Sequence, residues 1–180
     1  MATSTNPRKL AISAFALEPA PLQDQAPLTQ FPRLAGEAVR AVADAAVHFQ
    51  ALGSMRTDPA GLAVPWLALQ GRVHIDLVCQ RCLEPVTTLV EFDREFRFVE
   101  SEEAALAQDE DSEEDLLVQC PQFDLLELVE DELLMALPVS PKHEKCPGDL
   151  KLSAADADFE TAPDRPNPFA KLAQLKTPKS

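Results

Sequence analysis

Leu67-Ala68-Leu69-Gln70-Gly71-Arg72-Val73-His74-Ile75-Asp76-Leu77-Val78-Cys79-Gln80-Arg81-Cys82 carries the pattern that decides the fold. Leu67, Leu69, Val73, Ile75 and Leu77 share one parity, and Gln70, Arg72, His74 and Asp76 take the other, the period of a strand with one apolar and one wet face. Upstream, Ala43, Ala45, Val47, Phe49 and Ala51 alternate with Asp44, His48 and Gln50; downstream, Val90, Phe92, Phe96 and Phe98 alternate with Glu91, Asp93, Glu95 and Arg97. Three such runs in succession predict an antiparallel β-meander with one wet face. The two cysteines fall in the turn between the second and third runs, completed by Leu83-Glu84-Pro85.

Helices flank the meander, so the expected class is α+β. Leu34 to Val42 reads as a short N-terminal helix with Leu34, Ala38 and Ala41 on one side and Arg33, Glu37 and Arg40 on the other. Before it, Lys9 to Leu17 suits a short strand, and Pro19 to Pro32 reads as a Pro-rich loop. Asp124 opens the main acidic helix: it can cap, Glu127 follows three residues on, and Leu126, Val129, Leu133 and Leu137 form an apolar stripe that Pro138 ends. Near the end, Asn167 and Pro168 can start a short C-terminal helix with Phe169, Leu172 and Leu175 on one side and Lys171 and Lys176 beside them. The expected organisation is a strand and Pro-rich loop over 1–32, one α+β domain over 33–150 with an acidic loop at 100–118, a linker at 151–165, and a basic tail at 166–180.

The net charge of −14 over 180 residues is unevenly placed. Glu91 to Met135 holds 17 acids against Arg94 and Arg97, whereas Arg165 to Ser180 holds four bases and no acid. Such a belt repels a polyanion and selects a cationic protein as partner. Glu127, Glu130, Asp131 and Glu132 lie off the helix stripe and are the expected partner face, with Phe169, Lys171, Leu172 and Lys176 as a docking element in the tail. Sixteen prolines and five glycines argue against a Gly-rich nucleotide scaffold. The first residues lack a secretory pattern and no window reaches membrane-span length, which gives a cytoplasmic expectation with reduced thiols.

Cys79 and Cys82 are echoed by His143 and Cys146, two ligand pairs of the soft type that zinc prefers. The residues between the pairs exceed those of a compact finger, so tertiary structure must join them. Two readings stand: one structural zinc, or four reduced thiols without metal, with Cys120 as core or edge filler. His48 and His74 fall on wet parities and read as surface residues, and the row Glu91, Asp93, Glu95 lacks the apolar pocket that a catalytic acid needs. No P-loop, dinucleotide fingerprint, HExxH or nucleophile elbow is present, so neither an enzyme nor a small-molecule substrate is expected.

Four segments in order resemble the bacterial YceD family, the large ribosomal RNA subunit accumulation proteins: Val78-Cys79-Gln80-Arg81-Cys82, the run Asp124 to Glu132, Leu137-Pro138-Val139-Ser140-Pro141-Lys142-His143, and Pro166-Asn167-Pro168-Phe169-Ala170-Lys171-Leu172. The resemblance implies a role in the synthesis, processing or stability of 23S ribosomal RNA, and it brings no catalytic residues. Joined to the acid belt, it gives an expected assembly factor that contacts a basic ribosomal protein or a pre-large-subunit particle. The alternative is direct rRNA binding through the cysteine turn, Arg81 and the basic tail.

Overall fold

The fold comes from a computed structural model that describes residues 6–18, 20–39, 45–58, 61–148 and 169. Its sheet has five strands in the order β1 (Leu22–Pro27), β2 (Ala46–Thr57), β3 (Ala63–Val78), β4 (Pro85–Val99) and β5 (Asp115–Val118). The first four pair antiparallel with their sequence neighbours, as the alternation requires, and β5 runs parallel to β4 over Phe96 to Val99. Val47, Phe49 and Ala51 of β2, Leu67, Leu69, Val73, Ile75 and Leu77 of β3, and Val90, Phe96 and Phe98 of β4 are buried in one core. Each such aliphatic or aromatic side chain contributes about 1.5–3 kcal/mol by leaving water.

Four helices accompany the sheet among the described residues: α1 (Ile12–Phe15), α2 (Pro32–Glu37), α3 (Glu102–Gln108) and α4 (Leu125–Met135). Asp124 caps α4, its Oδ1 accepting from the N–H groups of Leu126 and Glu127 at 3.0 and 3.1 Å. Leu126, Val129 and Leu133 of the predicted stripe are buried, and Leu125 joins them with no exposed surface, whereas Leu137 is half-buried beyond the end of the helix at Met135. Opposite, α2 contributes Leu34, and the turn before it Leu28 and Phe31, all fully buried.

The N-terminal region differs from its expectation. Leu10 makes only an isolated bridge with Phe123, after which Ile12 and Phe15 are buried on a single helical turn rather than a strand. Gly53 explains the seat of that turn: a Cβ there would lie 2.7 Å from the Phe15 carbonyl oxygen, so the missing side chain lets α1 rest on β2. The Pro-rich segment contains β1, because Ala26 is buried and Leu22 packs against the core, enough to make an edge strand that ends at Pro27. The short N-terminal helix spans Pro32–Glu37 and stops where Ala38 turns extended.

The expected acidic loop is also partly ordered. Ser101 caps α3 through a bond from the Ala104 N–H, a 3₁₀ turn follows at Asp109–Asp111, and the chain returns as β5. Its anchor is Arg97, which the alternation placed on the wet face but which is only 4% exposed. Arg97 donates to Glu114, to Gln108 Oε1 and to Ser112 Oγ, so its charge is paired and three of its hydrogen bonds are met. The excursion from Ser101 to Glu114 covers this end of the otherwise open sheet face. Cys120, expected as filler, is exposed. Residues 147–180 form a second unit, of which Pro147, Gly148 and an exposed Phe169 are described; the expected linker and the tail residues Lys171, Leu172 and Lys176 lie outside the described residues.

Candidate metal centre

The β3–β4 hairpin ends in a tight loop whose hydrogen bonds follow directly from the cysteine spacing. Cys79 N–H donates to the Glu84 carbonyl, and Leu83 N–H donates back to the Cys79 carbonyl at 2.9 Å. Leu83 takes a left-handed φ of 62°, a conformation costing an ordinary residue roughly 1 kcal/mol, and its side chain stands in solvent. This curl turns the sulfurs of Cys79 and Cys82 toward one point. The segment after α4 approaches from the other side, tied by the Gln80 N–H to the Pro141 carbonyl at 2.8 Å, and delivers His143 and Cys146.

All four ligand atoms lie within 4.8 Å of one another. Cys79 Sγ is 3.9 Å from Cys146 Sγ, and Cys82 Sγ is 3.4 Å from His143 Nδ1. Around an ion at zinc–ligand distances, a tetrahedron has sulfur–sulfur edges of about 3.8 Å and sulfur–nitrogen edges of about 3.6 Å. Those two separations lie near such edges, so the cluster could hold one tetrahedral ion, and the four cysteines of the chain are free thiols rather than disulfides. His143 Nε2–H donates to the Pro85 carbonyl at 3.1 Å, which fixes the ring and leaves Nδ1 as the ligating nitrogen.

The electrostatics of the sulfurs are unequal. Burial opposes charge on Cys79, but the backbone N–H groups of Cys82, His143 and Arg81, with the Cys82 thiol, outweigh it and lower its pKa to about 5. Burial, then the neighbouring Cys82 and Cys79 sulfurs, pushes Cys146 up to about 11. Without an ion Cys146 keeps its proton; a divalent cation at the centre would let all three sulfurs be thiolates, relieving the repulsion that otherwise holds Cys146 neutral.

The other expected site residues separate into groups. Arg81 is exposed on the loop beside the cluster. Glu127 is exposed on α4, and Asp131 is half-exposed in an ion pair with Arg33 at 2.6 Å. Glu130 and Glu132 do not stand on a free acidic face: they are 5% and 8% exposed. Glu130 accepts from the backbone N–H groups of Arg33 and Leu34 and from Arg33 Nε, so it holds the first turn of α2. Arg94 Nε reaches Glu132 at 3.5 Å. The signal for Glu130 was present in the heptad: it lies four residues after Leu126 and three before Leu133, inside the apolar stripe. Sequence reasoning also passed over Lys142 and Lys145, exposed beside His143 and Cys146.

A one-sided sheet whose central hairpin is closed by three cysteines and a histidine defines a small α+β protein built around a metal-type cluster. The model of the large ribosomal RNA subunit accumulation protein YceD family matches residues 67–176, which include all four ligands. The chain is also 36% identical over 155 residues, 82% of its length and 82% of the relative's, to the large ribosomal RNA subunit accumulation protein YceD of Haemophilus influenzae. It belongs to the YceD family. No solved structure matches it significantly.

Proposed function

We propose that the protein supports the accumulation of large-subunit ribosomal RNA as a non-enzymatic, cytoplasmic assembly factor, engaging a basic ribosomal protein or a pre-large-subunit particle through its acidic surface. What carries this reading is the kinship over 82% of both chains with a protein whose name states that role. The net charge of −14 supports the choice of a cationic partner, since carboxylates facing Lys and Arg raise association rates and select register. Glu127, Asp131 and the exposed acids of β4 and the α3 excursion serve that contact, with Phe169, Lys171, Leu172 and Lys176 as a second docking element. Cys79, Cys82, His143 and Cys146 hold one structural zinc, closed by four protein ligands.

The test of the function is a low-salt pull-down with the full chain, followed by salt titration and mass spectrometry. Retention of a basic ribosomal protein or a large-subunit precursor, released by salt, is expected; retention of neither overturns the reading. For the metal, elemental analysis should find about one zinc per chain, and chelation should loosen the fold. Metal-free protein with four titratable thiols and unchanged stability in chelator would remove the zinc.

One observation favours a second reading, direct contact with rRNA. Arg8, Arg33, Arg56, Arg94 and Arg97 are spent in ion pairs, whereas Arg81, Lys142 and Lys145 have none among the described residues and surround the metal cluster. A gel shift with ribosomal RNA fragments separates the two, because binding by the pure protein at micromolar concentration or below promotes the second.

A further inference from the structure

The hydrogen-bond parity of the β3–β4 hairpin fixes which backbone groups of β4 are used. The bond from Cys79 N–H to the Glu84 carbonyl makes that opposed pair a hydrogen-bonded one, and the pairing continues in register through Leu77↔Val86, Ile75↔Thr88, Val73↔Val90, Gly71↔Phe92 and Leu69↔Arg94. Alternation then turns the N–H and C=O groups of Thr87, Leu89, Glu91, Asp93 and Glu95 away from β3. On that far side β5 begins only at Phe96, and His143 takes the carbonyl of Pro85 at the opposite end. Between these two stops, the outward groups of Thr87, Leu89, Glu91 and Asp93 and the N–H of Glu95 meet no paired strand and no loop bond among the described residues, while the parallel pairing Phe96↔Asp115 takes the Glu95 carbonyl. The slot is nine residues long, about 30 Å of strand.

The same five residues put their side chains on the wet face, opposite Asp76, His74, Arg72, Gln70 and Ala68, and all five are exposed. Glu95 is held by Arg56, and Thr87 donates to Asp76. Asp93 receives only the neutral amide of Gln70, and Glu91 has no ion pair among the described residues although Arg72 lies across from it. On the other face the slot shows the buried Val90 and the half-buried Thr88 and Phe92. An unpaired edge with two uncompensated carboxylates on alternate positions is a template for a strand carrying cations at alternate positions, with small apolar residues between.

We propose that the edge of β4 from Thr87 to Glu95 accepts an extended basic segment of a partner protein as an additional strand, end to end with β5. This deepens the reading of a basic partner and rests on it. Backbone pairing supplies the attachment. Glu91 and Asp93 set the register, because opposed side chains on neighbouring strands sit about 4.5–5.5 Å apart at Cβ.

The probe is a nonapeptide alternating Lys with Val or Thr, added to the full chain and followed by hydrogen exchange and titration. Binding should slow exchange at Thr87, Leu89, Glu91, Asp93 and Glu95. A peptide of the same composition with its lysines grouped should bind more weakly, and one N-methylated on its pairing edge should not bind. Leu89→Pro removes an outward N–H while leaving the β3 ladder intact, and should weaken the peptide by about five- to tenfold. Glu91→Gln with Asp93→Gln should reduce the preference for the alternating peptide and flatten its salt dependence. The N-methyl control decides the matter even if the proline variant fails to fold.

Equal binding of the N-methylated peptide overturns strand addition. No binding at all would mean that the carboxylates only keep the edge unpaired. Slow exchange at these five amides in the free chain would show the edge already taken by this chain or a second copy, and also overturns the proposal. Capture of a basic ribosomal protein without protection at this edge fails the inference and leaves the function standing; peptide protection without such capture does the reverse.

Discussion

Glu130 of α4 and Glu91 of β4 belong to the same acid-rich stretch, yet the first is 5% exposed beneath Arg33 and the second stands in solvent with no ion pair among the described residues. The helix that carries Glu130 is pressed between the sheet and α2, so an acid there survives only by satisfying donors, and it finds two backbone N–H groups and a guanidinium. The strand that carries Glu91 turns it to the open face of the sheet, at a stretch that β5 does not reach. Carboxylates of one local composition therefore divide into those that hold the fold together and those left to recognise something outside it. The division follows from what each element packs against.

The largest expected break in this comparison is Glu130→Lys. It removes three hydrogen bonds and sets a cation beneath Arg33, and should cost about 4 kcal/mol or more in denaturant unfolding. Pairing it with Asp131→Lys adds little, because Asp131 is half-exposed. Glu130→Gln keeps one acceptor for the α2 amides and should cost about 1–3 kcal/mol. Glu91→Lys with Asp93→Lys should change stability by about 0.5 kcal/mol or less while abolishing retention of a basic partner in pull-downs. A large fall in unfolding midpoint for that pair, or none for Glu130→Lys, would erase the distinction.

The smallest effect sharpens the comparison through pH. Burial, only partly offset by Arg94, raises Glu132 above its ordinary value of 4.5, so its contribution is full below that value and is lost as pH rises through the raised folded pKa. Arg56 lowers Glu95, despite some burial, so its contribution is present above 4.5 and is lost as pH falls through the depressed folded pKa. Stability profiles of Glu132→Gln and Glu95→Gln against the parent should therefore slope in opposite directions around that pH. Glu95 is nearly half-exposed, which keeps its share to a fraction of a kcal/mol.

The strands of the meander were legible because their alternation is long and each buries one parity; the apolar residues of β2, β3 and β4 fall where the period puts them. The single turn α1 and the short strands β1 and β5 were not. β5 has four residues and earns its place by pairing with a distant stretch of β4, information that no local window holds. Arg97 obeyed the strand parity, but its burial depends on Glu114, Gln108 and Ser112 folding back over it. The ligand types at Cys79, Cys82, His143 and Cys146 could be read directly, whereas their convergence needed the Gln80–Pro141 bond and the path of the chain beyond α4. For Glu130, a charge inside an apolar heptad was the visible sign of a buried pair, and counting it with the outer acids obscured it.

The sequential order of the sheet also sets a timetable. Each of β1 to β4 pairs with its neighbour in the chain, so the meander can close hairpin by hairpin at little loop entropy as it leaves the ribosome. The cysteine cluster obeys a different clock: Cys79 meets Cys146 across 67 positions, after β5 and α4 have been made. Until Cys146 emerges, the hairpin offers two sulfurs to any passing thiol, oxidant or metal. Completion of the four-residue cluster thus marks the moment at which the two sulfurs of the hairpin pass from open exposure to the company of His143 and Cys146.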